Sequence, residues 1–335
     1  MGEWGDEMFL SLFGAVESGA IYAIMALGVY LTFRVLDFPD LTVDGSFVTG
    51  AAVASISIMN GLPPLLGTIL GALAGFIAGC ITGVLHTKGK INALLSGILM
   101  MIALYSINLR IMGQPTLSLL NDSTLKTQLI SLWEKTGIDG VLNNLLAVLG
   151  LERFPATWGI VIFMIFVIIV IKIIVDYFLK TEVGLALRAT GDNQRMIRSF
   201  SANTDTLIIV GVGISNGLVA FSGALIAQHG GFADVGMGIG LIVIGLASVI
   251  IGEALFGTKT IARATLAVIL GAIVYRIVVT LALRVEFLDT GDMKLITSLL
   301  VIVALVAPKM LQAQREKQRR LKKRAALPME DVKNA

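Results

Sequence analysis

The sequence predicts an all-α integral membrane protein of about nine transmembrane or partly re-entrant helices. Of its 335 residues, 56% are hydrophobic and only 15% are charged, and the mean hydropathy is +0.87. A bilayer core about 30 Å thick requires about 20 apolar residues for each helical crossing, and several runs of the chain meet that length. Because lipid cannot satisfy exposed backbone N–H and C=O groups, these runs must be helices.

Nine hydrophobic segments are candidate spans. The second is too short for a straight crossing and is flanked by Gly45 and Gly61, which predicts a broken or partly re-entrant helix. The first four and the last four spans each begin with a long helix and a turn rich in Gly and Asp (Phe38–Gly45; Gly230–Gly240). Because one span separates the two sets, they run with opposite polarity, as in an inverted repeat with a solute path at its interface. The predicted spans are Leu10–Phe33, Gly45–Met59, Pro64–Leu85, Ile91–Met112, Trp158–Phe178, Asp205–Gln228, Gly236–Phe256, Thr260–Leu283 and Lys294–Pro308.

Basic residues predict the orientation. They concentrate in the segment 179–204 and in the tail 309–335, which places both in the cytoplasm. An odd number of crossings then puts the N-terminus outside, and the segment 114–157 forms an external loop with an amphipathic helix around Leu125–Trp133. Residues 1–308 form the transmembrane domain. The N-terminus has no basic residue before the first span, so a cleavable signal peptide is not expected. The basic tail directly follows a span, which favours a membrane flank over nucleic-acid binding.

The sequence excludes several kinds of site. It contains no glycine-rich loop ending in Gly-Lys-Ser/Thr and no cluster of His, Cys or carboxylates with metal spacing, so we expect neither ATP hydrolysis by this chain nor a cofactor bound to it. Its two histidines, His86 and His229, are predicted at opposite membrane boundaries and cannot act together. The single cysteine, Cys80, excludes a disulfide within the chain.

Glycines recur every four residues along the third span, from Gly67 to Gly83, and therefore lie on one stripe of the helix. Such a stripe lets another helix approach closely. The pattern favours packing within the subunit, and the alternative is a contact between subunits.

Ionisable groups within spans are informative because burying an isolated charge is unfavourable. Arg276 lies well inside the eighth span, where it faces a solute path, forms a structural ion pair or extends its charged end toward the membrane surface. Glu253 is predicted to pair with the nearby Lys259 or Arg263. An acidic inner turn carries Asp37, Asp40 and Asp44, which either cap the following helix or contribute to an inner gate. Elsewhere the acidic residues crowd the ends of the spans. The candidates for a solute path or gate are Asp44, Asn216 and Arg276.

The segment Thr181–Asn193, TEVGLALRATGDN, resembles the cytoplasmic coupling segment of ABC importer permeases of the branched-chain amino acid and ribose type. The run Ile250–Gly257, IIGEALFG, resembles a glycine turn of the same family. The run Asp40–Phe47, DLTVDGSF, is similar to the branch linked to tryptophan, tyrosine and related amino acids, and departs from the branched-chain type at that place, so the solute contacts of that type do not carry over.

The resemblance implies a type II ABC importer-like fold in a bacterial cytoplasmic membrane. It also implies separate cytoplasmic ATPase subunits that bind ATP and Mg, a second permease copy, and an extracytoplasmic solute-binding protein or lipoprotein, with the chain surrounded by membrane lipid. The solute it implies is an amino acid, with aromatic types favoured. The residues that would dock in the ATPase are Gly184, Arg188, Ala189, Gly191, Asp192 and Asn193.

Two other classes remain open on the sequence alone. A secondary transporter driven by an ion gradient would place several carboxylates near mid-membrane. A lipid-modifying membrane enzyme would place a cluster of His or Asp at one boundary.

Overall fold

The computed structural model describes residues 3–148, 153–199 and 203–283, together with residues 295, 298, 299, 302, 303 and 306. Within this part, eight helices are long and apolar enough to cross a membrane, which confirms an all-α membrane protein. The tail 309–335 lies outside the described residues, as does most of the ninth predicted span, 294–308.

The described chain is mainly helical. A π-helical turn, Leu31–Val35, continues the first helix, and a 3₁₀ turn, Val235–Gly238, precedes the tenth. The first eight predicted spans match the helices to within a few residues, except that the first helix begins earlier than predicted and the seventh begins later. The elements are α1 Glu3–Tyr30, α2 Thr42–Met59, α3 Pro64–Thr87, α4 Ala93–Met112, β1 Thr116–Ser118, α5 Leu125–Glu134, α6 Ile138–Val148, α7 Gly159–Lys180, α8 Glu182–Ser199, α9 Thr204–Gly230, β2 Phe232–Asp234, α10 Leu241–Phe256 and α11 Ile261–Ala282.

Helices α1 and α9 form the centre of the bundle and run antiparallel. The Ser215 hydroxyl on α9 donates to the carbonyl oxygen of Gly28 (2.6 Å), and the Ser222 hydroxyl donates to that of Ile21 (2.8 Å). Apolar side chains of both helices meet α10, α11 and α7 in a common core. By contrast, α3, α4 and α7 carry many exposed large apolar side chains, as expected of helices that face lipid or another subunit.

The glycine stripe of α3 packs within the subunit. A Cβ atom at Gly71 would lie 2.7 Å from the carbonyl oxygen of Gly50 on α2, and one at Gly79 would lie 2.5 Å from that of Val212 on α9. Gly50 is itself pressed against Ala220 of α9, where a Cβ would lie 1.9 Å from the carbonyl oxygen. Small residues therefore let α2, α3 and α9 meet backbone to backbone.

Two sets of helices have the same arrangement, and in each set the helix after the break packs against the first helix of the other set. In the first, α1 is followed by a break at residues 36–41, and α2 then packs on α3 and α9. In the second, α9 is followed by a break at residues 231–240, and α10 then packs on α11 and α1. Because α1 and α9 are antiparallel, the two sets have opposite polarity, as predicted for an inverted repeat. The predicted fourth span of the second set lies mostly outside the described residues.

The segment 114–157 covers one end of the bundle, which we call the α5 end; the opposite end, which carries α8, is the α8 end. Strands β1 and β2, which the sequence did not predict, pair antiparallel and join this segment to the break after α9. The Gln228 side chain on α9 accepts from the backbone N–H of Leu125 (3.1 Å) and donates to Thr68 (2.8 Å). These bonds fix α5 to the bundle.

Candidate functional site

Helix α8 is anchored to the bundle by one face. Its Leu187 and Ile197 side chains are buried, with Leu187 in a cluster that includes Leu36 and Val212. Asn193 has non-helical dihedral angles (φ −157°, ψ 89°), so α8 is two short helices joined at a kink. The Asn193 side-chain oxygen accepts from the backbone N–H of Met196 (3.1 Å) and so caps the second helix.

Two glycines allow α8 to approach the bundle closely. A Cβ at Gly184 would lie 2.1 Å from the carbonyl oxygen of Phe178, and one at Gly191 would lie 2.1 Å from that of Val35. Neither glycine has a positive φ. Their role is therefore close packing against the ends of α7 and α1, not the accommodation of tight turns.

The opposite face of α8 is available to a partner. Asp192 and Asn193 are exposed, whereas Arg188 and Ala189 are half-buried. The docking residues predicted from the sequence omit three exposed apolar residues of this helix. Apolar residues among charged ones at the membrane surface could have indicated them. These residues are Val183, Leu185 and Met196, which are 48%, 51% and 49% exposed.

Polar cavities flank α8 on both sides. One of about 440 Å³ is lined by Arg188, Arg34, Glu253 and Lys259. The other, of about 720 Å³, is lined by residues that include His86, Lys90, Gln194, Arg198 and Asp205. A polar groove on each side of an amphipathic helix is a surface on which a protein partner can seat.

The partner of Glu253 is Arg34, at the π-helical turn that ends α1, and not Lys259 or Arg263 as predicted. Two nitrogens of the guanidinium donate to the carboxylate, Nε at 2.8 Å and Nη2 at 2.5 Å. Arg263 instead donates from Nε to the carbonyl oxygen of Phe256 (2.6 Å). The ion pair joins residues 219 positions apart, a contact that neighbouring positions in the sequence could not reveal.

Asp40 lies inside the bundle and not at its inner edge. It is fully buried; its Oδ1 atom accepts from the backbone N–H of Thr42, at the start of α2 (2.9 Å). Its Oδ2 atom accepts from Asn216 Nδ2 (2.6 Å), near the middle of α9. The break before α2 therefore lies within the bundle, where it interrupts the helices as expected for the short second span. The candidate path residue Asn216 is itself fully buried by this contact.

Asp44 caps a helix of the other repeat. Its Oδ2 atom accepts from the backbone N–H of Gly240 (2.9 Å), and its Oδ1 atom accepts from that of Ile242 (2.8 Å). Gly240, the N-cap residue of α10, has no side chain that could supply this cap itself. Asp44 thus satisfies N–H groups that α10 leaves unpaired and places a negative charge at the positive end of the α10 dipole.

Beside Asp44 is a cavity of about 500 Å³ that opens on the flank of the bundle, which we call the α2–α4 pocket. Its surface is mainly apolar, with Asp44, Tyr105, Ser106 and Asn108 as its polar side chains. Its walls come from α2, α4 and the 3₁₀ turn before α10. The lining residues are Asp44, Gly45, Val48, Met101, Ile102, Tyr105, Ser106, Asn108, Val235, Gly238 and Ile239.

Arg276 stacks on an aromatic ring and does not form the predicted ion pair among the described residues. Its guanidinium carbon lies 4.6 Å from the centroid of the Tyr22 ring on α1, and its Nε donates to the Ser18 hydroxyl (3.2 Å). Tyr22 stacks in turn on Phe47 of α2, with ring centroids 6.1 Å apart. This cation–π contact accommodates the charge between α1 and α11, away from the α2–α4 pocket.

Comparison with known proteins shows to which protein family the chain belongs. Residues 11–306 match a family described as the permease component of the branched-chain amino acid transport system. The chain belongs to this family. It is therefore a multi-pass membrane permease component, as the resemblance of its coupling segment indicated, and not an enzyme.

Two relatives cover nearly the whole chain. A tyrosine transport system permease protein of Clostridioides difficile (strain R20291) is 42% identical over 294 residues, which are 88% of this chain and 90% of the relative. An uncharacterized protein of Rickettsia prowazekii (strain Madrid E) is 33% identical over 304 residues, which are 89% of this chain and 98% of the relative. No solved structure matches the chain.

Proposed function

We propose that this chain is the membrane-spanning subunit of an ATP-binding cassette importer and that it moves an amino acid into the cell. The observation that carries the proposal is the construction of α8. It is a kinked amphipathic helix at one end of the bundle, anchored by Gly184, Leu187 and Gly191, with apolar and polar side chains left exposed on its other face. A membrane subunit needs such a surface to receive force from a separate ATPase.

In this proposal the α8 end faces the cytoplasm of a bacterium and the α5 end faces outside. The concentration of basic residues in 179–204 and in the tail supports this orientation. A cytoplasmic ATPase, which binds ATP and Mg, docks on α8. A solute-binding protein or lipoprotein delivers the amino acid to the α5 end, and a second copy of the chain completes a homodimer in the membrane.

The contacts of α8 suggest how movement reaches the solute path. Gly191 lies against Val35 and Leu36, where α1 ends and the buried break begins. The break carries Asp40, which is bonded to α9 through Asn216. Displacement of α8 by the ATPase would therefore move the end of α1 and the start of α2 relative to α9. Packed helices that shift against one another in this way alternate the access to a central site.

Buried carboxylates also bear on the alternative of an ion-driven transporter. Asp40 and Asp44 lie within the bundle, where a proton or sodium site would need them. However, both oxygens of each carboxylate already accept hydrogen bonds that cap helices or bind Asn216. Among the described residues no group of three or more His, Cys, Asp or Glu could hold a metal ion. The observed bonds thus give both carboxylates a structural role, and ion coupling is not needed to explain why they lie within the bundle.

The family description and the name of one relative bear on the identity of the amino acid. The family description refers to branched-chain amino acids, whereas the name of the 42% identical relative refers to tyrosine. The run Asp40–Phe47 resembles the tryptophan and tyrosine branch, so we propose an aromatic amino acid.

Reconstitution tests the proposed function. This chain is reconstituted in proteoliposomes with a candidate ATPase and a candidate solute-binding protein from the same organism, and uptake of L-tyrosine, L-tryptophan and L-leucine is measured with and without ATP. We expect uptake that requires hydrolysable ATP. Arg188→Glu should abolish the coupling of ATPase activity to uptake while the complex remains folded. Full uptake without the ATPase, or uptake driven by an ion gradient alone, would contradict the proposal.

A further inference from the structure

The α2–α4 pocket contains a buried hydrogen-bond acceptor without a partner. Asn108 is 0% exposed, and its Nδ2 atom donates to the carbonyl oxygen of Gly45 (3.1 Å). Its Oδ1 atom has no hydrogen-bond partner among the described residues. An amide oxygen buried without a donor is unfavourable, so its position in the wall of a cavity indicates a ligand that supplies the donor.

A negative charge lies in the same pocket. The Asp44 carboxylate accepts two backbone N–H bonds from the start of α10, but an ionised carboxylate has about four lone-pair sites. It therefore keeps the capacity to accept from a ligand. The two N–H groups at the start of α10 hold this carboxylate in place.

The pocket has no positive charge to balance this carboxylate. Among the described residues that line it, none is Lys, Arg or His, so an inorganic anion or a carboxylate would be repelled by Asp44. The remaining wall is apolar or aromatic, with Val48, Met101 and Tyr105 among the side chains. Its volume of about 500 Å³ lies in the range typical of small-molecule sites.

We propose that the α2–α4 pocket binds the ammonium group and the apolar or aromatic side chain of an amino acid during its passage. The ammonium donates to Asp44 and to Asn108 Oδ1, and the side chain lies against Met101 and Tyr105. The carboxylate of the amino acid is not bound by the pocket and points away from it. This inference rests on the proposed function and names the part of the solute that the chain recognises.

The neutral acceptor and the carboxylate also argue against a lipid acyl chain as the occupant, because an acyl chain has no hydrogen-bond donor to offer. A ligand that carries an amine satisfies both groups. The same reasoning predicts an order of binding that does not depend on the external binding protein: L-tyrosine and tyramine bind, whereas 3-(4-hydroxyphenyl)propionate, which lacks the amine, does not.

Cysteine protection in the purified full chain tests this order. Cys80 is the only cysteine, so it is replaced by Ala, and Ser106→Cys then places a thiol in the pocket. The rate of its reaction with a small maleimide in detergent is measured with each of the three compounds. We expect L-tyrosine and tyramine to slow the reaction saturably and several-fold, and the amine-free analogue to leave it unchanged. A second thiol, introduced by Tyr177→Cys on the exposed face of α7, should react equally under all conditions.

Two variants identify the groups that bind the amine. Asn108→Leu removes the unpaired acceptor while the carbonyl oxygen of Gly45 keeps its bond from the Thr49 hydroxyl (3.0 Å), and Asp44→Asn removes the charge but retains an oxygen for the α10 cap. Either change should weaken the protection by both amines. If Asn108→Leu does not fold, Asp44→Asn alone decides.

Three results would overturn the inference. They are equal protection by the amine-free analogue, unchanged protection in the folded variants, and no protection by any compound while the reconstituted complex imports an amino acid with ATP. That last result leaves the proposed function standing. Absence of ATP-dependent uptake by the unmodified complex, with amine protection intact, would instead reject the proposed function and leave amine binding established.

Discussion

The Asp44 carboxylate on α2 accepts the backbone N–H of Gly240 at the start of α10, so a side chain of one repeat caps a helix of the other. A second bond, from the N–H of Ile242, completes the cap. The residues are about 200 positions apart, and their contact fixes the relative position of the two breaks. Asp44 also lines the α2–α4 pocket. The same carboxylate therefore joins the two repeats and lies in the wall of the proposed solute site.

Asp44→Ala should destabilise the protein. It removes an N-cap and a favourable charge at the N-terminus of α10, which together contribute about 1–2 kcal/mol. We expect a lower melting temperature of the detergent-solubilised chain. Asp37→Asn is the matched control, because it removes an exposed carboxylate of the same turn at a position with positive φ (51°) that Asn tolerates. An equal loss of stability in both variants would contradict the capping role.

Gly50→Ala should disrupt the core of the bundle. The added methyl group would lie 1.9 Å from the carbonyl oxygen of Ala220, and neither backbone can move without separating α2 from α9. Overpacking of this kind costs about 1–3 kcal/mol or more. Gly14→Ala is the control, since a Cβ there meets nothing within 4 Å and Ala favours a helix. Thermal unfolding of the two variants should therefore shift in opposite directions, or only the first should shift.

Asn216→Leu should destabilise the chain because it deprives the buried Asp40 carboxylate of a donor. The loss of a hydrogen bond to a buried charged group costs about 1–3 kcal/mol. Ser55→Ala provides a contrast: the Ser55 hydroxyl is buried without a partner among the described residues, so its removal should leave the melting temperature unchanged or raise it. If Asn216→Leu is as stable as the unmodified chain, the link between the α2 break and α9 is not important for the fold.

Leu185→Glu should reduce ATP-dependent uptake and the binding of the ATPase, because Leu185 is exposed on α8 and a carboxylate there would remain unpaired in the proposed interface. The fold should be unaffected. Leu120→Glu is a matched control at the α5 end, where Leu120 is 80% exposed, and should retain ATPase binding. Binding of the ATPase can be measured by co-purification. Normal co-purification and normal uptake by the Leu185→Glu variant would contradict the assignment of α8 to the interface.

The orientation can be measured with cysteines in the Cys80→Ala background. Gln128→Cys on α5 and Asn193→Cys on α8 are both at exposed positions of opposite ends of the bundle. In intact cells an impermeant maleimide should label the first and not the second, and both should react after the cells are opened. The reverse pattern would invert the proposed topology.

The amino-acid sequence by itself determined the class of the protein and the order of its helices. A long run of apolar residues has only one stable form in lipid, so the bounds of most spans could be read from hydropathy. The glycines that recur every four residues along α3 predicted close helix packing, because only small residues let two helix backbones come into contact. A short amphipathic helix within 179–204 could also be predicted, since apolar residues lie among charged ones there, whereas its kink at Asn193 could not.

The tertiary structure decided which polar groups meet. Hydropathy does not show at what depth a chain unwinds, so Asp40 and Asp44 were expected at the inner edge and were found within the bundle. Arg34 and Glu253, like Asp44 and Gly240, are brought together only by the packing of the two repeats. In a membrane protein a buried polar group is stabilised by a partner inside the fold, and for these residues that partner is set by the packing of helices that are distant in the chain.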